Sequence, residues 1–266
     1  NIKRKSERRQ ERKMIIGSVA MLIIATLLFG LATEPGMNLM QNIKNAVMPK
    51  TSITISAANN ETLKNKITEA KLVAGYNHFI ALTADGKVYG WGYNYYGQLG
   101  INNNANQTTP VKMQKVTNIV QMTGGENHLI MLDADGSVWS VGSNGNGQFG
   151  TNSAEGTSLP TQMLDTDRKS VLYGVKEIAS GRDHTVLIKE DNTVWSVGWN
   201  GAGALGQGIT TQYTTVIGQV KEQVEGTDGQ KTEKPITDAK HVIAAGDTTY
   251  ITRQKDENGK AQGMYA

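Results

Sequence analysis

Three short stretches of this chain are apolar on both faces of an extended strand. In the first, His78, Ile80 and Leu82 fall on one face, and Phe79 and Ala81 fall on the other. Residues 128–132 (HLIML) and 184–188 (HTVLI) have the same character. A strand that is apolar on both sides must be covered on both sides. A hairpin signal follows each stretch: Asp85-Gly86, Asp135-Gly136 and Asp191-Asn192. Asp-Gly suits a tight hairpin turn, and Asn tolerates the left-handed backbone that such a turn requires. The returning strands place Tyr89, Trp139 and Trp195 at one equivalent position, followed by Gly90, Ser140 and Ser196. The small residues at that second position predict a crowded site. One hairpin cannot bury two apolar faces, so neighbouring units must bury them for each other.

The units belong to a long internal repeat. Its copies are AGYNHFIALTADGKVYGWGYNYYGQLG (74–100), GGENHLIMLDADGSVWSVGSNGNGQFG (124–150) and SGRDHTVLIKEDNTVWSVGWNGAGALG (180–206). A fourth copy starts at Ala245-Gly246, with threonine replacing the histidine. The glycines and histidines that recur are Gly75, His78, Gly97 and Gly100 in copy one and Gly125, His128, Gly147 and Gly150 in copy two. Copy three repeats them as Gly181, His184, Gly203 and Gly206. This pattern resembles the regulator-of-chromosome-condensation repeat family: glycine, histidine three residues on, an Asp-Gly turn, a Val-aromatic pair, then Gly-x-Asn-x-x-Gly-Gln-Leu-Gly. The resemblance covers residues 67 to 266 and implies a β-propeller, seven-bladed in known members. Copy three departs from it at Asp191-Asn192 and at Ala204.

The fold expected is therefore all-β: a partial β-propeller of about three and a half four-stranded blades, preceded by one N-terminal transmembrane or signal helix. Asn1 is not an initiator methionine and the fourth copy breaks off at Ala266, so the sequence reads as a fragment. Three copies and part of a fourth do not close a seven-bladed ring. More blades, or another chain, are expected to cover its edges.

The glycine-rich stretch GNGQFG (145–150) also fits a dinucleotide-binding fingerprint. That reading needs a helix after the glycines, and residues 151–156 (TNSAEG) are turn chemistry. The glycines are therefore read as tight-turn positions. The histidines recur one per blade and should sit apart, each buried and bonded to neighbouring backbone, so no metal site is expected from them. Asp133-Ala134-Asp135-Gly136 lacks the remaining ligands of a calcium loop and is read as a hairpin turn. There is no cysteine, no nucleophile elbow and no carboxylate pair that stands out. No catalytic residue, cofactor or metal is assigned, and the chain is read as a non-enzyme. The alternative is a propeller enzyme acting on polysaccharide or another polymer, with carboxylates converging at the central channel.

The N-terminus carries a different signal. Residues 1–13 hold seven basic and two acidic side chains, a charge of +5; the whole chain carries +3, so the rest carries −2. The basic character lies in a tail, and the repeats offer no basic footprint for nucleic acid. Residues 14–33 then run without a charge. As a helix this segment would span about 30 Å, the thickness of a bilayer core. Being apolar all round, it does not suit a soluble core helix. Basic residues before it place residues 1–13 in the cytoplasm and the propeller outside. Small residues at Gly30-Leu31-Ala32 leave signal cleavage and secretion as the alternative to a retained anchor. Residues 34–66 form a polar connector with one alternating stretch at 51–56. Asn60-Glu61-Thr62 and Asn106-Gln107-Thr108 match glycosylation acceptors.

Between copies, residues 101–118, 151–174 and 207–235 vary in length and read as loops. Within the glycine-rich turns, Tyr93, Tyr95 and Tyr96 of copy one and Trp199 of copy three replace small or polar residues. Aromatics on a turn tip supply binding area at little entropic cost. These four are the candidate contacts for an unidentified protein or cell-surface polymer.

Overall fold

The computed structural model describes residues 71–254, which lie within one compact unit. The basic tail 1–13, the apolar stretch 14–33, the connector 34–66 and the Asn60 tripeptide lie outside the described residues. Among the described residues there are sixteen strands and no helix.

Three antiparallel sheets each follow chain order. Blade 1 is β1 (Lys71–Ala74), β2 (His78–Leu82), β3 (Val88–Gly92) and β4 (Gln107–Lys112). Blade 2 is β5 (Ile119–Gly124), β6 (His128–Asp133), β7 (Val138–Gly142) and β8 (Thr157–Gln162). Blade 3 is β9 (Val175–Ser180), β10 (His184–Lys189), β11 (Val194–Trp199) and β12 (Tyr213–Gln219). A separate hairpin follows, β13 (Lys221–Glu225) with β14 (Lys231–Pro235), and then a two-stranded sheet, β15 (Ala239–Ala245) with β16 (Thr248–Arg253). Residues 101–118, 151–174 and 207–235, read from sequence as loops, thus contain β4, β8, and β12 with the β13–β14 hairpin. β4 and β8 carry Pro110 and Pro160. Proline weakens a strand signal, yet the outer strand of a sheet tolerates it.

The core lies between blades. Ile80, Leu82, Val88 and Leu99 of blade 1 pack on Met122, Leu129, Met131 and Val141 of blade 2. Ile130, Val138 and Phe149 meet Ile178, Leu187 and Val197 across the next seam. Val186, Ile188 and Val194 meet Ala239, Val242 and Ile251 across the third. β6 and β10 are thus buried on both faces by neighbouring blades, whereas β2 is covered on its Ile80–Leu82 face and its Phe79 stacks on Trp91 of the same blade. The crowding expected beside the aromatic position is present: a Cβ on Gly90 would lie 2.9 Å from Ile80 Cδ1, and Ser140 and Ser196 are fully buried.

Register in the fourth copy differs from the sequence reading by one residue. Ala244 pairs with Thr249 as Ser180 pairs with Thr185. Thr249 Oγ1 donates to Ala204 O (3.2 Å) as Thr185 Oγ1 donates to Gln148 O (2.8 Å). Thr248 therefore stands at the histidine position, and Ala245, not Gly246, stands at that of the glycine.

Candidate partner-binding face

At one end of the blades lie the turn between the first two strands and the long connection between the third and fourth. The connection is held by a buried asparagine at the same place in copies one to three. Asn94 Oδ1 accepts from Leu99 N (2.9 Å), while its Nδ2 donates to Asn103 O (2.8 Å) and Ala105 O (3.1 Å). Asn144 does the same with Phe149 N, Ser153 O and Glu155 O, and Asn200 with Leu205 N, Ile209 O and Thr211 O. Gly147 turns at φ 75°, and a Cβ there would lie 2.6 Å from Thr214 O of the next blade. The glycines of GNGQFG are thus turn and close-approach positions, and the chain proceeds from them to β8 with no helix.

On this tied loop, Tyr93, Tyr95 and Tyr96 come together. Tyr95 and Tyr96 meet edge to face at 5.2 Å, and Tyr93 stacks on Tyr95 at 6.3 Å. Tyr95 is 64% exposed and Tyr96 43%. Asn104 Nδ2 donates to Tyr95 O at 2.7 Å and fixes the tip. Trp199, the fourth candidate, belongs to blade 3. Its ring is half-buried, packed against Gly201 and beneath the Arg182 guanidinium, 5.6 Å from the ring centroid. The side chain of Asn106, in the second glycosylation tripeptide, accepts from Asn94 N at 2.8 Å.

The sequence reading missed the inner turns at this same end. Tyr76 N–H bonds Glu126 O (3.1 Å), Glu126 N–H bonds Arg182 O (3.2 Å) and Arg182 N–H bonds Gly246 O (2.7 Å), joining the three blades and the β15–β16 sheet in series. They border an open cavity of about 520 Å³ with Tyr76, Glu126 and Arg182 on its wall. Tyr76 is 73% exposed. Arg182 pairs with Asp247 at 3.0 Å and with Asp183 at 3.4 Å. Burial pushes the Asp183 carboxyl above its usual range; Glu126 and Asp247 add to this, and Arg182 opposes it. Asp183 and Asp247 are thus both held by Arg182, while Glu126 on the cavity wall accepts from Asn127 Nδ2. The signal for these residues was present in the sequence. They occupy the variable positions between the recurring glycine and histidine.

The histidines do sit one per blade and are fully buried. They do not make the expected backbone hydrogen bonds. His184 Nε2 meets Thr249 Oγ1 at 2.9 Å, and both ring nitrogens of His78 and His128 are buried without a partner. Nor are they electrically separate. Burial lowers the His128 pKa to about 3, helped by His184 and His78; burial lowers His78 and His184 to about 4. Each ring fills the space over its glycine, where a Cβ on Gly75, Gly125 or Gly181 would overlap imidazole Cε1. Among the described residues, no group of three or more His, Asp or Glu side chains gathers to hold a metal.

Comparison with known proteins places these features. The profile of the Regulator of chromosome condensation (RCC1) repeat matches residues 85–132 and 135–188, and a second profile of that repeat matches 70–98, 119–148 and 175–204. The Ultraviolet-B receptor UVR8 of Arabidopsis thaliana is 29% identical over 174 residues, covering 65% of this chain and 26% of the receptor. Prp20p of Saccharomyces cerevisiae, described with its binding to Gsp1p and histones, superposes with a TM-score of 0.55 at 25% identity, over 71% of this chain and 45% of that one. Human WBSCR16 superposes with a TM-score of 0.51 at 16% identity, over 70% and 57%. The match thus spans about a quarter of the receptor and roughly half of each solved chain.

Proposed function

The chain belongs to the regulator-of-chromosome-condensation repeat family, and from that premise we propose that it is a non-catalytic binding propeller that engages a protein partner through the Tyr93–Tyr95–Tyr96 end. The observation that carries this reading is the exposed tyrosine cluster on a loop held rigid by Asn94 and Asn104. Rigid aromatics at a surface are the residues that anchor interfaces, because they bury large area with few rotamers to lose. Tyr76 and the Arg182–Asp247 pair extend the surface along the inner turns with a polar rim. A protein partner is favoured over a polymer because Prp20p binds Gsp1p and histones. Nucleic acid is disfavoured by the −2 charge that remains beyond residues 1–13. The apolar run 14–33 behind a basic tail supports a propeller held outside the cytoplasm by a membrane anchor, with secretion after cleavage as the second route.

Photo-crosslinking tests the face. A benzoylphenylalanine at position 95 should trap a partner in the native cell, and one at Lys169, exposed in the 163–174 connection at the opposite end of the blades, should not. The purified partner should then bind the Tyr95→Ala, Tyr96→Ala double variant about 30-fold or more weakly, the effect of a hot-spot pair. Unchanged affinity with an intact fold would refute the assignment.

A further inference from the structure

A second site lies at the other end of blade 2. There the β6–β7 turn, the 113–118 connection and Tyr173 enclose a cleft of about 240 Å³. Its floor is a fixed network. Asp133 Oδ2 accepts from Trp139 Nε1 (2.9 Å) and Ser137 Oγ (2.8 Å), and Oδ1 accepts from the backbone N–H of Asp135 and Ser137. Gln162 Nε2 donates to Ser137 Oγ at 3.2 Å. Asp133 is therefore spent on orienting the indole. Asp135, Lys115, Thr117 and Asn118 also line the cleft, and within the described residues their side chains make no hydrogen bond or ion pair.

The corresponding tryptophan in blade 3 is arranged differently. Lys189 Nζ stands over the Trp195 ring, 4.7 Å from its centroid, and the indole N–H bonds Thr193 Oγ1. Blade 2 has Asp133 where blade 3 has Lys189. The acid takes the edge of the indole, and no cation covers the Trp139 ring. Lys115 and Asn118 both adopt left-handed backbone, at φ 62° and 57°. The residue in the place of Asn118 before blade 3 is Gly174, also left-handed at φ 72°. Its carbonyl accepts from Glu190 N as that of Asn118 accepts from Ala134 N. Glycine would be the least strained choice there, and asparagine instead lines the cleft with an amide.

We propose that this cleft binds a single uncharged sugar ring. The exposed phenol of Tyr173 can stack on the C–H face of such a ring, and the partly buried Trp139 indole adds apolar lining. The amide, hydroxyl, carboxylate and ammonium offer donors and acceptors to its hydroxyls, each of which can play either role. An apolar ligand would strand these polar groups. Lys115 against Asp133 and Asp135 leaves the cleft with a net charge of −1, which disfavours an anionic sugar. The cleft lies below the roughly 300–1,000 Å³ of pockets for drug-sized ligands, so one ring fits and an oligosaccharide extends out of it. The site is at the opposite end from the tyrosine face and does not depend on the reading of that face.

The test is a titration of the full chain with glucose, galactose, mannose and N-acetylglucosamine, and with their methyl glycosides, followed by tryptophan fluorescence and calorimetry. At least one probe should bind saturably. Tyr173→Ala should weaken it about ten-fold and Asn118→Gly measurably, while Tyr95→Ala leaves it unchanged. Both substituted positions tolerate the change, since Tyr173 is exposed and Asn118 already has a glycine-like backbone. Binding of a methyl glycoside identifies a chain-end sugar as the source, and loss of binding on methylation identifies the free sugar. Absence of saturable binding by every probe, or binding that both variants leave intact, overturns the proposal.

Discussion

Acid should unfold this protein through its three buried histidines. An unperturbed histidine titrates near 6.5; burial lowers His78 and His184 to about 4 and His128 to about 3. Their folded-state values are depressed, so the unfolded chain binds more protons in the window between about 6.5 and 4. Stability is complete above that window and falls as pH falls through it. At pH 5 each histidine lies about 1.5 pH units below its unfolded value, a loss of about 2 kcal/mol apiece and about 6 kcal/mol in all. This is comparable with the whole stability of an ordinary domain, about 5–15 kcal/mol. The carboxylates do not mimic the effect. Asp85, Asp167 and Asp191 are held below their usual range, so their contribution is lost below the window. Asp183 is raised and acts with the opposite sign. The assay is urea unfolding at pH 7.5 and 5.0 at fixed ionic strength, with proton NMR of the imidazoles in the folded state. A stability difference below about 1 kcal/mol, or a folded His128 that titrates near 6.5, would refute the reasoning.

Three further outcomes follow from the packing. Gly125→Ala sets a Cβ into the His128 ring and 2.8 Å from Arg182 O, and should cost more than about 3 kcal/mol in urea unfolding; Gly145→Ala, with nothing within 4 Å, should stay within about 0.5 kcal/mol. Adding His128→Thr removes the clash with the ring but not that with Arg182 O, so it should relieve part of the penalty at position 125, giving a coupling of about 1–3 kcal/mol in the double-mutant cycle. Asn144→Ala removes hydrogen bonds to Phe149, Ser153 and Glu155 and should cost about 2–4 kcal/mol, with faster amide exchange at Phe149. On the anchored reading, protease added to intact cells should cut the repeats and spare residues 1–13.

What could be read from the sequence was what repeats, because repetition separates scaffold from surface without any second sequence. The seams were visible in the two-faced strands at 78–82, 128–132 and 184–188. The buried asparagines 94, 144 and 200 were visible as a motif, although their three-way bonding was not. The outer strands were hidden because an edge strand exposed on one side has no strong apolar period, and Pro110 and Pro160 further mask it. The cleft at Trp139 was hidden for another reason. It depends on Asp133 standing where Lys189 stands one copy later, a difference that matters only once both side chains are seen against their indoles.

The recurring Gly-x-x-His carries the clearest physical argument, because the chain contains its own control. Where the histidine is present, at 78, 128 and 184, the residue three before it is glycine, and a Cβ there would strike the imidazole. In the fourth copy the histidine gives way to Thr248, and the residue three before it is Ala245. The glycine is therefore required by its close neighbours: the ring above it and, at Gly125 and Gly181, the next blade's backbone oxygen, 2.8 Å and 2.6 Å from such a Cβ. The same ring explains why the histidine is buried neutral. It is used as a flat filler between blades, and its nitrogens find at most one hydroxyl, that of Thr249 on the following blade. A packing role for the imidazole at neutral pH and acid sensitivity below it are thus two consequences of one steric arrangement.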